Sequence, residues 1–305
     1  MLDLSKIKTY PIAQRRNLVH LDDFVRPEDT QVVWDNADFD RLCRLVFDAA
    51  TGGRIVMLQM GAHVIKCGLG LLLNDLIRRG YVNHLAMNGA CAIHDFEFAL
   101  IGASSEDVAD SICDGSFGMA EETGRFINET VNASSEGFGR ALGRRISKAG
   151  LPHRDHSVLC AAFEADVPAT VHVAIGTDIV HQHPTFDGAR TGAATNHDFK
   201  VYTETVSRMS GGVLMNFGSA VILPEVFLKS LSMARNLGFP VSPLYTASFD
   251  LRQDIEDYYF RPAKNIVQRP VSRGGEGFNF RVDHRESVPS MHRKLIQIAE
   301  GPDSP

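Results

Sequence analysis

The feature that most limits how this chain can fold is a repeated unit. A short apolar run ends in glycine or another small residue, and a helical pattern of 10–15 residues follows. "RIVMLQMGA" (54–62) is the first run. "HVIKCGLGLLLNDLIRRG" (63–80) follows it, with Ile65, Leu69, Leu72, Leu73 and Leu76 near a 3.6-residue period and Gly80 as terminator. "VNHLAMNGA" (82–90), "ATVHVAIG" (169–176), "GGVLMNFGS" (211–219) and "VSPLYTAS" (241–248) repeat the strand pattern. "IHDFEFALIG" and "LPEVFLKSLSMARNLG" supply further helices. Strands alternating with helices predict βαβ units, and so a Rossmann-like α/β fold with a doubly wound, mostly parallel sheet and helices on both faces.

The expected organisation is a polar N-terminal extension over residues 1–35, one cofactor-binding and catalytic domain over 36–270, and a tail over 271–305 that is rich in glycine and charge. Residues 104–150 read as helical with glycine breaks, suited to a lid or an interface. In open α/β sheets ligands bind beyond the carboxyl ends of the strands, where the strand order reverses. Small or polar residues stand at each expected strand end: Ala62 and His63, Asn88 and Gly89, Thr177 and Asp178, Gly218 and Ser219, Thr246 and Ala247. Five such ends predict one site built from many loops.

A net charge of −6 without a dense basic cluster argues against a nucleic-acid partner. No apolar run reaches the length of a membrane span, and the N-terminus lacks a signal-like apolar stretch. Five cysteines, odd in number and without a CxxC pair, imply neither zinc nor a disulfide framework. They fit a reducing compartment such as the cytoplasm.

"GTDIVHQHP" (176–184) places Asp178, His181 and His183 within six positions. Two histidines two apart in an extended loop point the same way and suit a metal. They suit equally a wall that hydrogen-bonds a ligand. GxGxxG is missing, so a nucleotide would have to be held by backbone N–H groups at bare strand ends. Lys264, between two Arg-Pro pairs and beside Tyr258, Tyr259 and Phe260, is either a surface lysine or a desolvated, nucleophilic one.

Over residues 50–265 these segments resemble the deoxyhypusine synthase family. "GAHVIKCGLGLLLNDLIRRGYVNHLAMNGACAIHDFEFAL" is similar to its first strand, helix and second strand, "IGTDIVHQHP" to its Thr-Asp loop, "MNFGSAVILPEVFLKS" to its Gly-rich strand and helix, and "LYTASFD" to its Thr-Ala segment. The resemblance implies a homotetramer with sites between subunits. It also implies NAD held by Ala62, His63, Asn88, Gly89, Asp178, Gly218, Ser219, Thr246 and Ala247, and Lys264 as the covalent nucleophile. Ile93 and His94 replace the family's paired glutamates, Pro224 and Glu225 its paired histidines, and Pro262 its tryptophan. The amine donor or acceptor is therefore expected to differ.

The expected function is that of an NAD-dependent aminoalkyl transferase acting on a polyamine or guanidino-amine. His94, His181 and His183 are the acid/base candidates, since imidazole titrates near neutral pH. Asp95, Glu225, Asp250 and Asp254 are the carboxylates expected to meet a cationic substrate. The alternatives are a non-catalytic NAD- or metabolite-binding protein on the same scaffold, and a metal-dependent amidohydrolase or ureohydrolase built on Asp178, His181 and His183.

Overall fold

The computed structural model describes residues 3–251 and 260–301. The chain enters through β1 (Asn17–His20) and α1 (Ala37–Thr51), the latter capped by the Asn36 side chain on the Phe39 N–H. The repeated units then follow. β2 (Val56–Met60) leads to α2 (Ala62–Lys66) and α3 (Gly70–Arg78), and β3 (His84–Asn88) leads to α4 (Gly89–Ile101). The single helix expected over 63–80 is broken at Gly68. Its φ is +71°, and a Cβ there would strike the backbone of Asp23 and Phe24, so the N-terminal segment presses into the break.

β4 (Ala103–Glu106) pairs antiparallel with β1, and α5 (Val108–Asp114), α6 (Glu121–Asn132) and α7 (Phe138–Lys148) realise the helical region expected over 104–150. α8 (Val158–Glu164), β5 (Ala169–His172), α9 (Gly188–Ser207), β6 (Val213–Phe217), α10 (Ile222–Asn236) and β7 (Leu244–Asp250) continue the chain.

Residues 275–300, read from sequence as tail, are instead β8 (Gly275–Arg281) and α11 (His284–Glu300). β8 pairs in parallel with the whole of β7, and α11 buries Val288, Met291 and Leu295. The glycines that suggested mobility are what let this strand fit. A side chain on Gly275 would collide with the Leu244 carbonyl, and one on Gly277 with the Val267 carbonyl.

The main sheet is parallel throughout, in the order β5-β3-β2-β6-β7-β8. Counted along the chain this is 3-2-1-4-5-6, the doubly wound arrangement, and it reverses between β2 and β6. One apolar cluster joins α1, α3, α4, α8 and α11 to one sheet face. A second joins Tyr202 and Val206 of α9 and Phe227 and Leu231 of α10 to Met57, Leu214 and Leu244 on the other. Phe217 and Phe249 stack at 4.2 Å between centroids, carrying the first cluster across β6 and β7.

Candidate active site

The loop after β5 folds back onto the start of α4. There Asp178 accepts a hydrogen bond from the Ala90 N–H, in the first helical turn, where a carboxylate complements the helix dipole. Gly89 permits this, since a Cβ at that position would overlap the Asp178 carboxylate. Asn88 caps the same helix through the Cys91 N–H, 2.9 Å away.

The Asp178 side chain is 7% exposed and its Oδ2 has no hydrogen-bond partner among the described residues. Burial pushes its pKa up to about 6. His181 faces it, Nε2 lying 3.9 Å from Oδ2. The other ring nitrogen of His181, Nδ1, accepts from the N–H groups of Gly176 (3.1 Å) and Asp178 (3.2 Å), so in the neutral ring Nε2 carries the proton. Burial lowers the pKa of His181, which keeps the ring neutral.

Asp178 separates two recesses, of about 250 and 240 Å³. The first is lined along one stripe of α4 by Ala90, Ile93, His94 and Glu97, with Lys66, Arg15, Glu106, Phe117 and Ile179 around it. Its polar lining is a connected network. Glu97 is fully buried and accepts both arms of the Arg15 guanidinium at 2.7 Å, together with the hydroxyls of Ser104 (2.6 Å) and Thr123 (2.8 Å). Burial alone would raise its pKa, but these bonds outweigh that and hold it below the usual carboxylate value.

The Ser104 hydroxyl spends its proton on Glu97. His94 Nδ1, 2.6 Å from the same oxygen, must therefore be the donor to it. This fixes the tautomer and leaves Nε2 as an unprotonated acceptor on a side chain that lines the recess. Burial lowers the His94 pKa to about 4, with Lys66 and Arg15 adding to the effect and Glu97 opposing it.

A larger groove of about 490 Å³ lies between α1 and α11, but its lysine, Lys294, is already paired with Asp40 and Asp35.

Several expected site residues lie elsewhere. Thr246 and Ala247 are buried inside β7, which continues to Asp250 because β8 pairs with it; the Thr246 hydroxyl donates to the Ile266 carbonyl. Ser219 Oγ accepts from the Leu223 N–H at the start of α10. Asp95 is wholly buried and caps α8 through Ser157, Val158 and Leu159, which leaves it nothing for a substrate. Glu225 is occupied by Lys229, Arg261 and Asn265. His183 is buried against Gly124, its Nε2 on the Gly118 carbonyl at 2.8 Å. Asp250 ends β7, and Asp254 lies outside the described residues. Lys264 stands half-buried on a π-helical turn (Ala263–Gln268) packed against α10, β7 and β8, and does not line the recess.

His181 and His183 thus turn to local backbone groups rather than to a shared centre. No set of three or more His, Cys, Asp or Glu side chains forms a metal shell among the described residues. No described helix is long and apolar enough to cross a membrane.

At the reversal of strand order, Gly61 and Gly218 bring β2 and β6 together. A Cβ on Gly61 would lie 2.9 Å from the Gly218 carbonyl oxygen. His284, from the first turn of α11, packs over Gly218 at the mouth of this crevice, 6.0 Å ring to ring from the exposed His63. Its buried Nδ1 has no partner among the described residues.

No protein-family model matches the chain, and no curated protein matches its sequence. Solved structures share its fold. The LOR/SDH protein of Methanococcus maripaludis S2 superposes with a TM-score of 0.55 at 14% identity over 90% of this chain and 74% of its own. ArgZ, an arginine dihydrolase of the cyanobacterial ornithine-ammonia cycle, gives 0.51 at 16% over 86% of this chain. AgrE in complex with ornithine and NAD+ gives 0.54 at 14%, also over 86%. The chain spans 33% of the length of each of the last two.

Proposed function

We propose that the chain is an NAD-dependent enzyme that oxidises a small cationic amine held in the recess between α4 and the loop after β5. The observation that carries this reading is Asp178, a nearly buried carboxylate with one oxygen unclaimed, set against a cavity of small-molecule size. Asp178 is the anchor for the ammonium. His94, its tautomer set by Ser104 and Glu97, takes the proton that an ammonium must lose before it can be oxidised.

The reversal of strand order between β2 and β6 supports a dinucleotide there, and the unpartnered Nδ1 of His284 at the crevice mouth fits a polar group of such a ligand. Ala62, His63, Asn88, Gly89 and Gly218 are the residues that would hold it. NAD, when bound, supplies a hydride acceptor. The likeness in fold to a protein crystallised with ornithine and NAD+ supports the same reading. Transfer of an aminoalkyl group to Lys264 is not carried into the proposal, because that side chain lies outside the recess.

The test is calorimetric titration of the full chain with NAD, followed by NADH fluorescence on adding a panel of diamines, guanidino-amines and amino acids. Binding of NAD and amine-dependent NADH formation that is lost in His94→Asn are the expected results. A chain that binds no NAD overturns the proposal.

A further inference from the structure

The charges lining the recess are unevenly satisfied. Arg15 is matched by Glu97, and Glu106 is engaged by the Tyr10 hydroxyl at 2.8 Å and the Gly118 N–H at 2.9 Å. Two charges remain open. One is Oδ2 of Asp178. The other is Lys66, the last residue of α2, half-buried in the cavity wall with no ion pair or hydrogen bond among the described residues. Asp178 rests on Ala90, whereas Lys66 lies close enough to His94, four residues along, to disfavour its protonation. The side chains of Asp178 and Lys66 line the same recess of about 250 Å³.

A plain diamine would satisfy Asp178 and leave its second ammonium within reach of Lys66, a like-charge contact in a partly desolvated cavity. A ligand carrying a carboxylate several ångströms from its cationic group answers both ends at once.

We infer that Lys66 is a specificity-determining residue that binds a carboxylate of the amine substrate, so that the ligand class is an amino acid with a distal amine rather than a polyamine. This rests on the recess being the amine site, as proposed above, and it is tested by binding rather than by turnover.

Full-length protein, with and without NAD, is titrated by calorimetry with L-ornithine and with 1,4-diaminobutane, the same skeleton without the carboxylate. The wild type is expected to prefer ornithine by about tenfold or more. Lys66→Met should bring that ratio close to one with NAD affinity unchanged, and Lys66→Arg should retain the preference. Equal binding of the two ligands by the wild type, or an undiminished preference in Lys66→Met, overturns the assignment. So does a loss of NAD affinity in Lys66→Met, which would place the lysine on the cofactor's phosphates, or the absence of binding by either amine. Failure of NAD to bind counts against the proposed function alone, since the titrations without cofactor still read Lys66.

Discussion

At the scale of single residues, Asp178 sets the pH behaviour of the site. Burial raises its pKa to about 6, so it is largely neutral at pH 5 and ionised at pH 7. A neutral carboxyl does not hold an ammonium. Amine affinity should therefore rise by about tenfold between pH 5 and 7, while Asp178→Asn binds weakly with no such dependence; titrations at several pH values check both. His94 bears on proton transfer in a separate way. Ser104→Ala removes the acceptor that fixes its tautomer, so turnover should fall by roughly 10²-fold or more with little change in amine affinity. A drop in affinity matching the drop in turnover would give Ser104 a purely structural role. Asp178 was visible in the sequence because polar residues just past an apolar run are conspicuous, and His94 because it stands where the resembled family carries a glutamate. Lys66, Arg15 and Glu97 were harder to see. A signal did exist: Ala90, Ile93, His94 and Glu97 fall at i, i+3, i+4 and i+7, one stripe of a helix that opens at a strand end. Arg15, 82 residues away in sequence, gave none.

At the scale of elements, a buried ion pair is among the contacts that fasten the N-terminal segment to the site. Arg15 and Glu97 are buried to 3% and 1% side-chain exposure. Removing one partner strands the other's charge in the interior. Arg15→Ala should cost about 3–5 kcal/mol, whereas Arg15→Met with Glu97→Met should lose much less, as denaturant unfolding would show. The same elements show what a local reading cannot supply. Regular strands and helices were legible because their apolar periods are local. Residues 11–30 and 275–281 were not, because polar and glycine-rich stretches acquire structure only from distant partners: β1 from β4, and β8 from β7 and the π-helical turn. Truncation after residue 270 should therefore expose Phe249 and leave β7 an unpaired edge. Loss of the cooperative thermal transition is the expected outcome, and a truncated chain that melts like the full one would show β8 and α11 to be dispensable.

At the scale of the whole molecule, the sign of the pH dependence of stability follows from its buried histidines. Burial holds His84 and His172 down to about 3, and His94 and His284 to about 4, so each stays neutral in the fold well below the pH at which the unfolded chain takes up its proton. A lowered folded-state value for a base means that unfolding binds protons. Their contribution is fully present above the unfolded value near 6.5 and is lost as pH falls from there toward 4 for His94 and His284 and toward 3 for His84 and His172. Three buried carboxylates work the other way. Asp95 and Asp178 are raised by burial to about 6 and Asp198 to about 7, so in the same interval the fold holds protons that the unfolded chain releases, and these groups favour the folded state as pH falls. Asp198 is the strongest of them, although its carboxylate accepts from Phe138, Gly139 and Val171 and so ties α9 to α7 and β5. With four strongly lowered histidines against three raised carboxylates, the histidines prevail throughout the fall from pH 6.5. The carboxylates offset most of that loss down to about pH 4. There the unfolded carboxylates also take up protons and the offset ends, while His84 and His172 continue to lose. Thermal unfolding should therefore show a gradual loss of stability from about pH 6.5 to 4 and a steeper fall below about pH 4. The double variant His84→Gln with His172→Gln should move the start of that fall to lower pH; an unmoved fall would assign acid unfolding to other groups.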